Sequence, residues 1–382
     1  MKITNTIKSR INSCFSTVTR HGVLTAVLLI IGTVLTPWGA IYAATSVVND
    51  SVKWHPGHYY TLMSSGKDNP RYLDDVYSEL KATPALRGVQ IRYFWKELET
   101  DEDVYDFTAI DQRLEELSAL NRRLIIQVQT KSFDPDWTVV PGYLRTSMYE
   151  GGVFPFGSYD SKKTIKGYNI KLWNDNVRNR LTKLMNKLGE RYNSHPYFEG
   201  VGMIESAFGQ PITPLTSTQV DKYYANLLIV QTKMRTAFPN TMTIQEMNYP
   251  RTFLKEFTNT FKETGTALGC PDIWIDEPGL NETRDPAGLY TYFPKLSGII
   301  TLAPTIEHKN YVSTRKDLTG PQPTVSELLK FGRDTLKANY IFWTRTPGYY
   351  PKVLELLNQR TQKSNPSGGL DPTCPSVYTS CN

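Results

Sequence analysis

Gly200-Val-Gly-Met-Ile-Glu205 and Gly298-Ile-Ile-Thr-Leu-Ala-Pro-Thr-Ile-Glu307 decide how this chain is read. Each is an apolar run too short for a spanning helix, opens on glycine and closes on a glutamate. Runs of this kind predict strands buried on both faces, as in a parallel sheet. A carboxylate where such a strand ends is at least a solvated rim group. At the carboxyl end of a barrel strand it is a candidate catalyst.

Working outward, the same unit recurs. Apolar runs at Tyr59–Met63, Gly88–Phe94, Leu124–Val128, Gly200–Glu205, Met242–Glu246, Ile273–Asp276, Gly298–Leu302 and Tyr340–Trp343 predict eight strands. Helix-period stretches fall between them. Ile110, Leu114, Leu117 and Leu120 share one helical face, and Val177, Leu181, Leu184, Leu188 and Tyr192 share another. Buried strands alternating with helices require parallel pairing, since tight turns cannot join parallel strands. The expected fold is therefore α/β, a single-domain (β/α)8 TIM barrel over residues 44–362, with a Pro/Ser/Gly-rich extension at 363–382. An open doubly wound sheet fits the periodicity as well, but neither GxGxxG nor GxxxxGK follows the first strand. The long connection from Thr130 to Leu172 is rich in aromatics, including Phe133, Trp137, Phe154 and Phe156. Disordered segments are poor in aromatics, so a folded loop over a cleft is expected.

The start of the chain has another character. Lys2, Lys8, Arg10 and Arg20 precede the uncharged apolar run Val23–Leu35, then Pro37 and the small residues at Ala40–Ala44. This is the pattern of a secretory signal over residues 1–43, cleaved after Ala43, with an uncleaved anchor as the alternative. The expected location is secreted or periplasmic, with no stable membrane partner unless the segment is retained. The formal charge is +6, and setting aside those four basic residues leaves 39 basic against 37 acidic residues. That near-neutral balance argues against a nucleic-acid partner. Cys374 and Cys381 could close a small loop in an oxidising compartment, and Cys270 reads as a buried thiol. His55 and His58 have no nearby ligands, so no metal is expected.

At the predicted strand ends stand Arg92, Trp95, Glu97 and Glu99, then Gln129 and Lys131, Glu205, Glu246 and Asn248, Asp276 and Glu277, Glu307 and His308, and Trp343 and Arg345. Carboxylates and tryptophans thus gather at one rim. Paired carboxylates with indole faces suit a neutral polyhydroxylated substrate, a poly- or oligosaccharide.

The pattern resembles the clan A glycoside hydrolases, the retaining barrel enzymes that include cellulases, mannanases and β-galactosidases. The resemblance runs from about Tyr59 to Thr346. It rests on Arg92-Tyr-Phe-Trp-Lys-Glu-Leu-Glu99 followed by Tyr105-Asp-Phe and Ile110-Asp111, on Glu190-Arg-Tyr-Asn-Ser-His-Pro196 ahead of GVGMIE, on the strand-seven glutamate and on the strand-eight tryptophan. It implies Glu205 as acid/base, Glu307 as nucleophile, Arg92 orienting Glu307, and Trp343 flooring the sugar subsite, with no cofactor. Trp95, Trp137, Glu246, Asn248, Glu277 and His308 are the remaining candidates for substrate contact. Two departures stand out. Ile204 occupies the place of the clan's usual Asn, and Asp276 and Glu277 replace the usual strand-six Tyr. They keep open a non-catalytic carbohydrate-binding or envelope protein on a degenerate barrel, and an inverting hydrolase using Asp276 or Glu277.

Overall fold

The computed structural model of the chain describes residues 48–63, 66–157 and 164–382. The expected signal segment, 1–43, lies outside them. Eight strands close a barrel: β1 (Gly57–Leu62), β2 (Leu86–Phe94), β3 (Arg123–Gln129), β4 (Phe198–Met203), β5 (Met242–Glu246), β6 (Ala267–Cys270), β7 (Leu302–Ile306) and β8 (Tyr340–Thr344). Every neighbouring pair is parallel, and β8 returns to pair with β1. The architecture is the (β/α)8 barrel.

The crossover helices form for local reasons. In α1 (Pro70–Ala82), Asn69 caps the amino end by accepting from the amide of Tyr72. Helix α2 (Thr108–Ala119) buries Ile110, Leu114 and Leu117. In α3 (Asp175–Tyr192), Asn174 caps the first turn, and Val177, Leu181, Leu184, Leu188 and Tyr192 are buried as their spacing predicts. Helix α4 (Ser217–Ala237) opens on a Thr216–Gln219 capping box, and α5 (Arg251–Thr264) stops where Gly265 takes φ 79°, a left-handed conformation glycine adopts without strain.

Two apolar clusters follow from strand alternation. Inward residues, among them Tyr59, Ile125, Met242, Ile244, Ala267, Ala303, Tyr340 and Phe342, fill the barrel. Outward residues, such as Leu62, Val89, Ile126, Leu268, Ile341 and Trp343, pack with the helices. The barrel's lower part is thus a solid plug, and the cleft lies above it at the carboxyl ends.

Two strand bounds correct the sequence reading. The sixth strand is Ala267–Cys270, not Ile273–Asp276, because Pro271 ends the ladder and the more strand-like Ile-Trp-Ile-Asp run follows it as loop, with Ile273 and Trp274 buried. The seventh strand starts at Leu302, four residues after Gly298. The aromatic connection after β3 is folded: Val153–Gly157 pairs antiparallel with Ile165–Ile170 and with Gln210–Pro211 from the loop after β4. At the other end, Tyr378–Cys381 pairs with Val48–Val52, and Cys374 is disulfide-bonded to Cys381. Cys270 is a buried free thiol.

Candidate active site

Alternation within β2 and β3 aims Arg92 and Gln127 inward, directly opposite each other in the ladder. Gln127 Oε1 accepts from Arg92 Nε at 2.5 Å, which fixes the guanidinium plane. Arg92 Nη2 then reaches across the barrel mouth to Glu307 Oε1 at 2.5 Å. Glu307 is the residue after β7, so its carboxylate stands where the plug gives way to open space. Burial disfavours the charge on Arg92, but Glu307, Glu246 and Glu205 together hold it above the ordinary arginine value.

Glu205 lies two residues beyond β4 on the facing side of the cleft. It is held by polar partners rather than by an apolar wall. Lys131 Nζ donates to its Oε1 at 2.7 Å, and Asn248 Nδ2 donates to its Oε2 at 2.6 Å. Asn248 is itself oriented, since its Oδ1 accepts from the amides of Ala207 at 3.1 Å and Tyr249 at 2.7 Å. Its amide NH2 therefore has to face Glu205.

Two further carboxyls face the same space. Glu246, at the end of β5, accepts from Thr305 Oγ1 at 2.9 Å. Burial pushes its carboxyl up to about 7, Arg92 opposing and Glu307 adding to the rise. Asp272 stands two residues past β6, and its carboxyl is pushed up to about 8 by burial and then by the charges of Glu307 and Glu205. Sequence reasoning missed Asp272 because it placed the sixth strand too late. The short run Ala-Leu-Gly-Cys-Pro, weak in β-branched residues, was the available sign. It also passed over Gln127 and placed Lys131 at the rim without a role, since the roles of both depend on partners from other strands.

These groups line a cleft of about 420 Å³ with Arg92, Gln129, Ile204, Glu205, Glu246 and Asp272 among its walls. Glu307, His308, Lys309, Phe133, Trp137, Met63 and Pro271 complete it. Trp137 is 42% exposed and rests edge-on against Phe94 with centroids 5.6 Å apart, a platform held at one edge and open on its face. His308 is exposed at the cleft edge.

Three expected contacts are corrected. Trp343 is wholly buried, and its parity in β8 sends it outward with Ile341 into the helix layer, so it floors nothing in the cleft. Its Nε1 donates to His58 Nδ1 at 3.0 Å. Burial drives His58 down to about 4, so the ring is neutral, and its Nε2 donates to the carbonyl of Gly368 at 3.1 Å. Trp95 is equally buried, in the short helix Trp95–Leu98, with Nε1 donating to Glu99 Oε2 at 2.7 Å. Glu277 is buried in the loop after β6, where it accepts from the Lys316 amide at 3.2 Å and pairs with the Lys316 ammonium at 3.2 Å. It clamps two loops rather than touching the cleft, and Asp276 is exposed. Among the described residues, no group of His, Cys, Asp and Glu is arranged to hold a metal ion.

The Glu246 carboxyl sets a pH dependence of stability. Folded Glu246 keeps its proton to about pH 7, whereas the unfolded chain releases it near the ordinary 4.5. Between those values the folded state binds more protons, so stability falls as pH rises, and the loss is complete above about 7. Glu246→Gln removes this loss while keeping an acceptor for Thr305. The variant is expected to gain roughly 1–3 kcal/mol at pH 8 and nothing at pH 4, read by thermal melts at both pH values.

The parallel eight-stranded barrel carries opposed carboxylates at its carboxyl rim, with an arginine on one of them. Among solved structures, the chain is similar to the β-galactosidase of Bacillus circulans sp. alkalophilus, with a TM-score of 0.54 and 12% identity over 79% of this chain and 52% of that one. It is also similar to the β-galactosidase of the Antarctic haloarchaeon Halorubrum lacusprofundi, with a TM-score of 0.52 and 10% identity over 84% and 57%. The catalytic domain of the β-amylase of Paenibacillus polymyxa gives a TM-score of 0.51 at 8% identity over 80% of this chain and 98% of that one. The matched region thus spans about half the length of the two β-galactosidases. No protein-family model matches the chain, and no curated protein matches it in sequence. The likeness is one of fold, the (β/α)8 barrel.

Proposed function

We propose that this chain is an exported retaining β-glycosidase that hydrolyses a β-linked polysaccharide or oligosaccharide. The observation that carries the reading is the placing of Glu205 and Glu307 at one cleft, with Arg92 bonded to Glu307 and aromatic faces alongside. Glu307 attacks the anomeric carbon as the glycosidic C–O bond breaks, and Glu205 gives its proton to the departing oxygen. Glu205 then takes a proton from water as that oxygen attacks the same carbon and frees Glu307. Arg92 holds Glu307 in place through a charge-assisted hydrogen bond during both steps. Ile204 stands where the clan's 2-hydroxyl-binding Asn would be, so a different group makes that contact. Gln129, in the wall of the cleft, and Asn248, beside Glu205, are the amides nearest the site.

The test is hydrolysis of a panel of β-linked oligosaccharides with the anomer of the first-formed product followed by NMR. Net retention is expected. Inversion would overturn the two-step mechanism. Export rests on residues 1–43 and is tested by sequencing the amino terminus of protein recovered outside the cytoplasm, where a start at Ala44 is expected.

The aromatic groups supply a separate check. Trp137→Ala should raise KM roughly 3- to 10-fold through loss of a stacking face, with stability within about 0.5 kcal/mol of wild type. Trp343→Phe should leave KM unchanged and cost roughly 1–3 kcal/mol, since it loses core volume and the bond to His58. Steady-state kinetics and chemical denaturation separate the two.

A second reading, a saccharide-binding protein without turnover, is favoured by one observation. The Lys131 ammonium occupies one oxygen of Glu205, leaving that carboxylate engaged in the unliganded cleft. In that case binding survives substitution of both glutamates and no product forms.

A further inference from the structure

The carboxylate cleft opens sideways into a second lobe of about 820 Å³, and the two share Phe133, Glu205, Pro271, Asp272 and Lys309. Their charges are segregated. The first lobe holds four carboxyls against Arg92 and Lys309, whereas the second is lined by Lys131, Lys166, Arg251, Lys309 and Lys316 against Glu205 and Asp272. Both carboxyls stand on the border shared with the first lobe, so five cations face two carboxyls in the second. Beyond residue 43 the chain has 39 basic against 37 acidic residues, yet five of the cations gather in one concavity.

These cations come from separate segments of the fold. Lys166 projects from the hairpin strand Ile165–Ile170, Arg251 opens α5, and Lys309 and Lys316 follow β7. Lys131 is committed to Glu205, and Lys316 to Glu277. Arg251 is 4.0 Å from Glu282, too far for a hydrogen bond. Lys166 and Lys309 are exposed, and neither has an ion pair or side-chain hydrogen bond among the described residues. Rings accompany the charges: Phe156, Tyr249 and Trp274 line the lobe, and Phe133, 53% exposed where the two lobes meet, offers an apolar surface to a sugar.

We propose that this lobe is a subsite for an acidic saccharide, whose carboxylate- or sulfate-bearing units lie against Lys166, Arg251 and Lys309 while the bond to be cleaved sits between Glu205 and Glu307. The location of the cleaved bond rests on the glycosidase reading. The anion preference of the lobe does not. A nucleic acid is disfavoured because its unbroken row of phosphates would run on past Glu205 and Glu307, whereas a saccharide can place an uncharged unit there.

The experiment measures binding to the full chain carrying Glu307→Gln, so that no probe is consumed. Four probes are compared: a neutral β-linked hexasaccharide, an oligouronate, a sulfated oligosaccharide and a single-stranded oligonucleotide. An acidic saccharide is expected to bind at least about ten-fold tighter than the neutral one at low salt, and the preference should collapse in about 0.5 M salt. Whichever of the uronate and sulfate probes binds tighter names the acidic group. Lys166→Ala and Lys309→Ala should each weaken the acidic probe roughly 3- to 10-fold, and Lys166→Ala should leave the neutral probe unchanged. Equal affinity for neutral and acidic saccharides, no saccharide binding, or tightest binding of the oligonucleotide would overturn the proposal. Wild-type protein that prefers acidic saccharides yet turns none over would sink the glycosidase reading and leave this subsite standing. Hydrolysis without an anion preference would do the reverse.

Discussion

Glu307→Gln is expected to lower turnover on the order of 10³-fold or more, because the amide cannot form the glycosyl ester. The fold should survive. Arg92 would lose a 2.5 Å charge-assisted partner but keep Gln127, and it lies close enough to Glu246 to feel its charge. Glu246 is neutral to about pH 7 partly because Glu307 is ionised nearby. With that charge removed, Glu246 should release its proton at lower pH and take over part of the pairing with Arg92. The substitution should therefore cost about 1–3 kcal/mol or less, well below the loss expected when a buried charge is left with no partner at all. Initial rates and a denaturation curve on one preparation check both halves. Full activity in the variant would remove Glu307 from the chemistry.

Glu205→Gln is expected to show a different signature, set by the leaving group. Sugar alkoxides depart only with a proton, so hydrolysis of natural oligosaccharides should fall about 10²- to 10⁴-fold. Aryl glycosides with acidic phenols need little help in that step and should retain far more of their first-step rate. The second step still lacks its base, so a glycosyl-enzyme should accumulate, visible as a burst of phenol and as added mass. A small anionic nucleophile such as azide, which needs no deprotonation, should restore turnover. Gln is the right replacement here because its amide oxygen still accepts from Lys131 or Asn248, whereas Ala would leave the Lys131 ammonium, 3% exposed, with only the carbonyl of Ala207. Uniform loss across leaving groups would point to binding or folding instead of acid/base chemistry.

Much of the site follows from local pattern. Arg92, Glu246 and Glu307 are legible because each sits in or next to an apolar run whose alternation shows which end is the rim. The Asn174 and Thr216 caps and the faces of α2 and α3 are legible for the same reason, since both signals reside within a few turns of chain. Asp272 was hidden by composition: Ala, Gly and Cys pack well inside a barrel but carry little strand preference, while Ile273 and Trp274 look more like a strand than the strand itself. Trp95 and Trp343 were misjudged for another reason. Exposed or buried, a tryptophan at a strand end reads the same, and only the parity of β8 and the helical turn after β2 show that both indoles point away from the cleft.

By itself the sequence determined that buried strands alternate with helices, that carboxylates gather at the carboxyl ends, and that Glu205 and Glu307 each end such a strand. Those are properties of segments, encoded in periods of two and 3.6 residues. Only the tertiary structure decided what each carboxylate touches: Arg92 on Glu307, Lys131 and Asn248 on Glu205, Asp272 between them, and a cationic lobe assembled from the hairpin, α5 and the loop after β7. The physical reason is that barrel closure sets strand register and side-chain direction together through pairings distant in the chain. No local stretch of residues contains that information.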